Sequence, residues 1–298
     1  MTLEELEKIR KKAKNSYIIG LLLSSVLGIL IALLTNGFFM AFFIFIIGSI
    51  ITAVIAGKPT KTFTKEYKNM FVLKSLQATF NELIYEPDKG LNKEIISNTG
   101  MMYMGDRYTS NDFVSGKYKD INVVQADVHI EEEHETTDSN GHTTTYWVTI
   151  FKGRWMIFDF NKYFKANIQV SQKGFGNSKI SNWGKTLKYK KVMMEDQEFN
   201  NAFRTYAQDE HDAFYILTPS LMEKIKKVTN NISGKLLFCF IDNKLHIGLQ
   251  NGKDSFEHSI FRKINEQQSI EEISKDIKII TNFIDELNLD NNLFKGSI

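Results

Sequence analysis

The stretch Asn15–Gly57, NSYIIGLLLSSVLGILIALLTNGFFMAFFIFIIGSIITAVIAG, runs for 43 residues without an Asp, Glu, Lys or Arg. All 37 basic and 35 acidic residues of the 298-residue chain lie outside it. A single bilayer crossing takes about 20 apolar residues, so a run of this length suits two. Tyr17–Leu34 and Phe38–Ala56 are the apolar blocks, and Thr35-Asn36-Gly37 supplies the turn chemistry between them. At about 1.5 Å per residue each block spans about 27 Å, close to a hydrocarbon thickness of about 30 Å. A transmembrane helical hairpin is predicted over residues 17–56.

The flanks orient it. Lys8, Arg10, Lys11, Lys12 and Lys14 precede the first block, Lys58, Lys61, Lys65 and Lys68 follow the second, and the intervening turn has no basic residue. Basic residues are retained on the cytoplasmic side, which predicts a multi-pass plasma-membrane protein. Its basic N-terminus (1–16) and its C-terminal domain are both placed in the cytoplasm. A cleaved signal peptide is the rival, but no small-x-small pattern stands near Leu34, and 18 apolar residues is long for such a segment.

The remaining residues suffice for one large or two small domains with a core. Pro occurs only three times and no long Ser/Gly linker is present, which argues against extended disorder. A net charge of +2 lacks the basic excess of a nucleic-acid binder. The lone Cys239, in Leu236-Leu237-Phe238-Cys239-Phe240, excludes an intrachain disulfide and a cysteine-cluster metal site, and reads as core packing.

Beyond Gly57-Lys58-Pro59, expected to break the second span, Phe63, Tyr67, Met70, Phe71, Phe80, Leu83 and Ile84 suggest a helix ending near Tyr85-Glu86-Pro87. From Ile121 the period changes to two: Val124, Ala126, Val128 and Ile130 alternate with Gln125, Asp127, His129 and Glu131, the pattern of a half-buried strand. Asp138-Ser139-Asn140-Gly141 is a turn, and strands are expected at 143–151, 154–160, 166–171 and 187–194. Helices follow around 209–229, restarted by Thr218-Pro219, then a hairpin of 236–241 and 244–250 turned at Asp242-Asn243. Ile270, Ile273, Ile277, Ile280, Ile284 and Leu287 form one apolar helical stripe, suited to docking on the domain itself or to a homo-oligomer. The fold class expected is α+β: the membrane hairpin, then a cytoplasmic domain over 60–290 with a mainly antiparallel sheet and flanking helices.

Three constellations carry candidate chemistry. Asp106, Arg107 and Asp112 make a polar group in Gly105-Asp106-Arg107-Tyr108-Thr109-Ser110-Asn111-Asp112, read as a loop with catalysis as the sharper alternative to a local salt bridge. His129, His134 and His142 lie among glutamates and are sound metal-ligand types, but Asp138 stands where a zinc-protease helix would carry its second His. Lys185, Lys188, Lys190 and Lys191, beside Trp183 and Tyr189, form a basic patch suited to anionic lipid. Gly184-Lys185-Thr186 is not a P-loop, since position 179 is Lys, and no cofactor is expected.

The order of Gly105-Asp106-Arg107-Tyr108, Asn111–Gly116, Phe151-Lys152-Gly153-Arg154, Phe158–Lys162, Glu195–Phe199, Phe203–Tyr206, Ala213–Pro219 and Phe238-Cys239-Phe240 resembles the bacterial domain of unknown function family numbered 3137. An Arg expected before Ile216-Leu217-Thr218-Pro219 is replaced around Phe214-Tyr215. The resemblance implies a bacterial membrane protein with a cytoplasmic domain, a LemA-like membrane protein as possible partner, and no established site residues. The leading expectation is a membrane-anchored interaction or scaffold domain. The alternatives are a membrane-anchored hydrolase or metal-dependent enzyme and an anionic-lipid sensing module.

Overall fold

The structure, a computed structural model, describes residues 1–35, 38–100, 102–159, 167–175, 189–287 and 289. The expected turn at Asn36-Gly37, the segment around Gly184 with Trp183, Lys185 and Lys188, and the Phe160-Asn161-Lys162 portion of the family-like phrase lie outside these residues. The chain divides into two compact units, Met1–Ser75 with Phe256–Ser274, and Leu76–Ser255 with the described residues from Lys275 onward.

In the first unit, α1 (Leu3–Thr35) and α2 (Phe38–Tyr67) are long and apolar enough to cross a membrane. Their most apolar windows are only 17% and 11% buried, whereas a core helix of a soluble protein is mostly covered, so they suggest membrane association. The helices meet through small residues. A Cβ on Gly20 would lie 2.4 Å from the Thr52 side chain, and one on Gly48 would lie 2.3 Å from Ser24 Cβ. Close backbone approach of this kind replaces the hydrophobic driving force that lipid removes. Ser24 and Thr52 bond carbonyls of their own helices, Leu21 O at 2.9 Å and Gly48 O at 2.8 Å. Outside the apolar run, Tyr67 stacks on His258 at 4.7 Å and Lys68 pairs with Glu257 at 2.5 Å.

The expected break at Pro59 does not occur, and α2 runs through it to Tyr67. The proline leaves the Ile55 carbonyl without its helical donor, and the helix continues regardless; one residue on, Thr60 Oγ1 donates to Ala56 O at 2.7 Å. A π-helical turn (Lys68–Val72) and α3 (Leu73–Gln77) follow. The helix expected to reach Ile84 therefore ends at Gln77, and Phe80, Leu83 and Ile84 belong to the next stretch of chain, two of them to a strand.

The second unit is built on a nine-stranded antiparallel sheet with flanking helices, an α+β architecture. Its elements are β1 (Asn81–Glu86), α4 (Lys93–Ser97), β2 (Arg107–Tyr118), β3 (Ile121–Thr137), β4 (Thr143–Asp159), β5 (Ile168–Gln172), β6 (Lys190–Val192), α5 (Gln197–Ala202), β7 (Phe203–Ala207), α6 (Glu210–Ile216), α7 (Pro219–Asn231), β8 (Lys235–Ile241), β9 (Lys244–Gln250) and, from Lys275 onward, α8 (Glu266–Leu287). The strand order is β1-β2-β3-β4-β9-β8-β5-β7-β6. Thr218 caps α7 by accepting from Leu221 N at 3.3 Å, with Pro219 in the first turn. Asp242 and Asn243 turn β8 into β9 with φ of 50° and 58°, a left-handed pair suited to a two-residue hairpin. Of the apolar stripe on α8, Ile273, Ile277, Ile280, Ile284 and Leu287 are at most 4% exposed, while Ile270 is 44% exposed.

One core cluster gathers Ala126, Val128, Ile130, Phe151, Trp155 and Leu237 among others. Burying each large side chain contributes roughly 1.5–3 kcal/mol. The two strands expected at 143–151 and 154–160 are one, because Gly153 lets β4 pass without interruption. Gly153 faces Val128 on β3 and Gln250 on β9, and a Cβ there would lie 2.0 Å from Leu249 O.

That contact is backbone on backbone, so it has little freedom to relax. Gly153→Ala is expected to lower the stability of the full-length protein by roughly 2–3 kcal/mol, the scale of overpacking in a closed interior. Urea unfolding in neutral detergent checks this, and a change under about 0.5 kcal/mol would contradict it.

Candidate functional site

The polar face of β3 is not the solvated face that alternation suggests. Gln125 and Asp127 are 0% and 2% exposed, so the middle of this strand is buried on both sides. The reason lies one strand away: Asp127 is directly opposite Arg154 on β4, and Arg154 is 1% exposed. Arg154 Nε lies 3.8 Å from Asp127 Oδ1 and donates to Ser255 Oγ at 3.2 Å, while Nη1 donates to Asp276 O of α8 at 2.5 Å. Ser255 bonds the same carboxylate twice, through its backbone N–H to Oδ2 and through Oγ at 3.0 Å to Oδ1. A buried ion pair fixed by hydrogen bonds thus holds the chain at Ser255 and the Asp276 turn of α8.

Asp112 borders this cluster. It is fully buried with φ of 55°, at a register irregularity between Asn111 and Val114 on β2. A non-glycine residue in that conformation is uncommon and is sustained here by its partners. Tyr85 Oη donates to Asp112 Oδ1 at 2.7 Å, Asn111 Nδ2 donates to Oδ2 at 2.8 Å, and Asp112 N donates to Pro87 O at 3.0 Å. Asn111 Nδ2 also reaches Asp254 Oδ1 at 3.2 Å. Burial pushes the Asp127 carboxyl up to about 7, with Asp112 and Asp254 adding to the rise while Arg154 and the Ser255 N–H oppose it. His246 on β9 moves the other way: burial, aided by the charge of Lys244, pulls it down to about 4, and Trp155 Nε1 donates to its Nδ1 at 3.4 Å.

An aspartate poised near neutrality beside a serine hydroxyl has the residue types of a general acid–base pair. Asp127, Arg154 and Ser255 are nevertheless 2%, 1% and 7% exposed, and both carboxylate oxygens of Asp127 are bonded by Ser255. The arrangement is chemically a clasp.

The sheet also projects an arm. Beyond Glu131, where β2 ends its pairing, and Gly153, where β9 ends its own, β3 and β4 continue only with each other to the Asp138–His142 turn. An isolated two-stranded ribbon is marginal. Side chains support this one: the Arg107 guanidinium stands 3.7 Å over the Trp147 ring and 3.1 Å from Glu131 Oε2, and Asp106 Oδ2 accepts from Glu133 N at 2.9 Å. At the tip, Asp138 Oδ1 accepts from Asn140 N and His142 N at 2.8 and 2.9 Å. Tyr146 and Trp147 remain 47% and 38% exposed.

The expected polar loop at 105–112 is largely the start of β2, and it separates its candidates. Asp106 and Arg107 brace the arm, whereas Asp112 lies in the interior about 16 Å along the strand at about 3.3 Å per residue. The three histidines are each engaged locally: His129 Nε2 with Thr149 Oγ1 at 3.1 Å, His134 Nε2 with Glu132 Oε2 at 3.0 Å, and His142 Nδ1 with Asp138 Oδ2 at 3.3 Å. His129 and His134 are five residues apart on β3 and so lie on opposite faces. Of the four lysines, Lys185 and Lys188 are outside the described residues. Lys190 and Lys191 are adjacent on β6 and also face opposite ways. Asp127, Arg154 and Ser255 escaped the sequence reading because the clasp joins positions 27 to 128 residues apart; the one local signal was a buried-strand Arg after a glycine.

Residues 149–289 match the family model described as "Protein of unknown function (DUF3137)", in line with the resemblance carried by the sequence. The match takes in Arg154, Ser255 and every strand from β5 to β9. No curated protein matches the sequence. Among solved structures, the crystal structure of the mycobacterial trehalose monomycolate transport factor A, TtfA, aligns with a TM-score of 0.38 at 8% identity, over 76% of this chain and 94% of that one. A likeness at that level is too distant to bear on role.

The two shifted groups act on stability with opposite signs. Asp127 keeps its proton in the folded chain up to about 7 but loses it near 3.8 when unfolded, so its contribution is whole below 3.8 and lost as pH rises through about 7. His246 is held neutral down to about 4 against 6.5 unfolded, so its contribution is whole above 6.5 and lost as pH falls through about 4. Relative to wild type, Asp127→Asn is expected to make stability climb with pH across this window, and His246→Gln to make it fall, each by on the order of 2–4 kcal/mol. Unfolding of both variants from pH 4 to pH 7.5 checks the slopes, and profiles parallel to wild type would refute them.

Proposed function

We propose that this chain is a membrane-anchored interaction module whose second unit faces the cytoplasm and binds a partner protein through the β3–β4 arm. The arm is the observation that carries this reading. It puts Trp147 and Tyr146 on a ribbon that no other strand covers, with Glu131, Glu133 and Glu135 aligned on the face of Trp147. An aromatic ring braced by a neighbouring guanidinium, as Trp147 is by Arg107, is well suited to anchor a contact, and the glutamates favour a basic partner surface. Two apolar helices confine the module to a membrane, which raises the effective concentration of any partner held on the same surface. A second membrane protein, a LemA-like one included, or another copy of the chain would profit from that confinement.

The charge flanks generate the topology arm of the proposal. In intact cells, a cysteine at Asn36 is expected to react with a membrane-impermeant maleimide, and a cysteine at Asn140 only after permeabilisation. Native Cys239 is fully buried, with burial pushing its thiol well above the ordinary range, and gives a low background. The reverse labelling pattern would overturn the orientation.

Partner binding is tested by a photocrosslinking amino acid at position 147 of the full-length protein in its native membrane. Discrete protein adducts are expected, and adducts formed from position 146 should fall about tenfold with Trp147→Ala, the scale of losing one anchor residue. Adducts to lipid alone, or an unchanged yield in the variant, would refute the reading.

A further inference from the structure

At the β6 edge of the sheet, Lys173, Lys191 and Arg204 line one cleft of about 130 Å³, together with Gln197, Asn200 and Asn201. The strand register explains how residues so far apart in sequence meet. Ser171 of β5 lies opposite Arg204 of β7, and Lys191 of β6 opposite Tyr206. Tyr206 is two residues beyond Arg204, so alternation puts Lys191 and Arg204 on the same face of the sheet, and Lys173, in the turn after β5, lines the cleft beside them.

The carboxylates nearest in sequence are committed elsewhere. Lys226 takes Asp196 at 2.9 Å, Glu198 at 2.7 Å and Glu223 at 2.6 Å. Among the described residues, none of Lys173, Lys191 and Arg204 has a carboxylate partner. The Asn200 amide is used on the backbone of Met194, at 3.0 and 2.7 Å, which steadies the wall of the cleft. The Asn201 carbonyl accepts from Gln197 Nε2 at 3.3 Å, so its own amide N–H group remains on offer. A planar guanidinium, two flexible ammonium groups and an amide donor around a space of this size match a tetrahedral oxyanion with several acceptors.

We propose that this cleft is a binding site for a phosphate group, either as a lipid headgroup or as a soluble polyphosphate. The site goes beyond the partner-binding reading and is independent of the arm, so each can fail without the other. It also redraws the basic patch suggested by sequence: Lys191 belongs to it, Lys190 faces away, and Lys173 and Arg204 replace neighbours in sequence with neighbours across strands.

The test uses the full-length protein in neutral detergent and follows ³¹P NMR line widths of two probes, inorganic pyrophosphate and a short-chain phosphatidic acid. Broadening of either is expected, weakening roughly tenfold for each cation removed in Lys173→Gln, Lys191→Gln and Arg204→Gln, the scale of one charge-assisted hydrogen bond. Response to phosphatidic acid alone identifies a headgroup site, and response to pyrophosphate a soluble ligand. The single lysine variants change exposed side chains and keep the measurement interpretable if the triple variant does not fold. No broadening with either probe, or equal broadening in the variants, would overturn the proposal.

Discussion

The Asp127–Arg154 pair sets the terms for the second unit. An acid and a guanidinium stand directly across β3 and β4, and each is almost wholly removed from water. Desolvating ions costs several kcal/mol apiece, and their attraction returns this only when the remaining hydrogen-bonding capacity is also satisfied. Ser255 and the Asp276 carbonyl take up the Asp127 carboxylate and the Arg154 Nε and Nη1 donors. The pair therefore favours one register of β3 on β4, since a one-residue slip would move Asp127 to the opposite face and leave Arg154 buried without its counter-charge. Gly153 serves the same end by allowing β9 to approach beside the buried arginine.

Once that register is set, other features follow from it. Ala126, Val128 and Ile130 are delivered to the core on one face, while Gln125 and Asp127 fill the other. The long pairing continues past the neighbouring strands and becomes the arm, whose outermost residues have only each other and the Arg107 brace. A sheet whose centre is sealed on both faces by a polar clasp and an apolar core presents its recognisable chemistry at its margins.

Much of the architecture was legible because it rests on local signals. The uncharged run announced two helices, the period-two pattern from Ile121 announced β3, and Thr218-Pro219 and Asp242-Asn243 marked a helix start and a hairpin turn. Misreadings came where local and long-range demands diverge. Phe80, Leu83 and Ile84 are spaced as a helix would space them, yet Leu83 and Ile84 sit in β1, which pairs with β2 across a bulge. β2 itself, RYTSNDFVSGKY, has few apolar residues in alternation and reads as a polar loop; its strand character comes from β3, to which ten of its residues are registered. Pro59 looked like a stop but lies within a helix that continues to Tyr67. The clasp and the cationic cleft were invisible for a different reason, since both are assembled across strands from residues with no common motif.

The distribution of charge bears on where function resides. Asp127 has a near-neutral pKa and a hydroxyl partner, features that elsewhere accompany catalysis. Structural ion pairs shift pKa values as well, and here each polar atom of the shifted group holds a chain segment in place. The free-energy cost of burial is thus matched by a fastening role, and a ligand could reach Asp127 only by unmaking the register that forms the sheet. The arm and the β6 cleft carry no such penalty. Their charges are exposed or half-buried, opposite in sign, and separated in the sheet by β9, β8 and β5. At about 4.8 Å per strand spacing, β4 and β7 are roughly 19 Å apart, about two Debye lengths at physiological salt. An anion at the proposed cleft would therefore leave the potential at the arm largely unchanged, and the two margins can be tested one at a time.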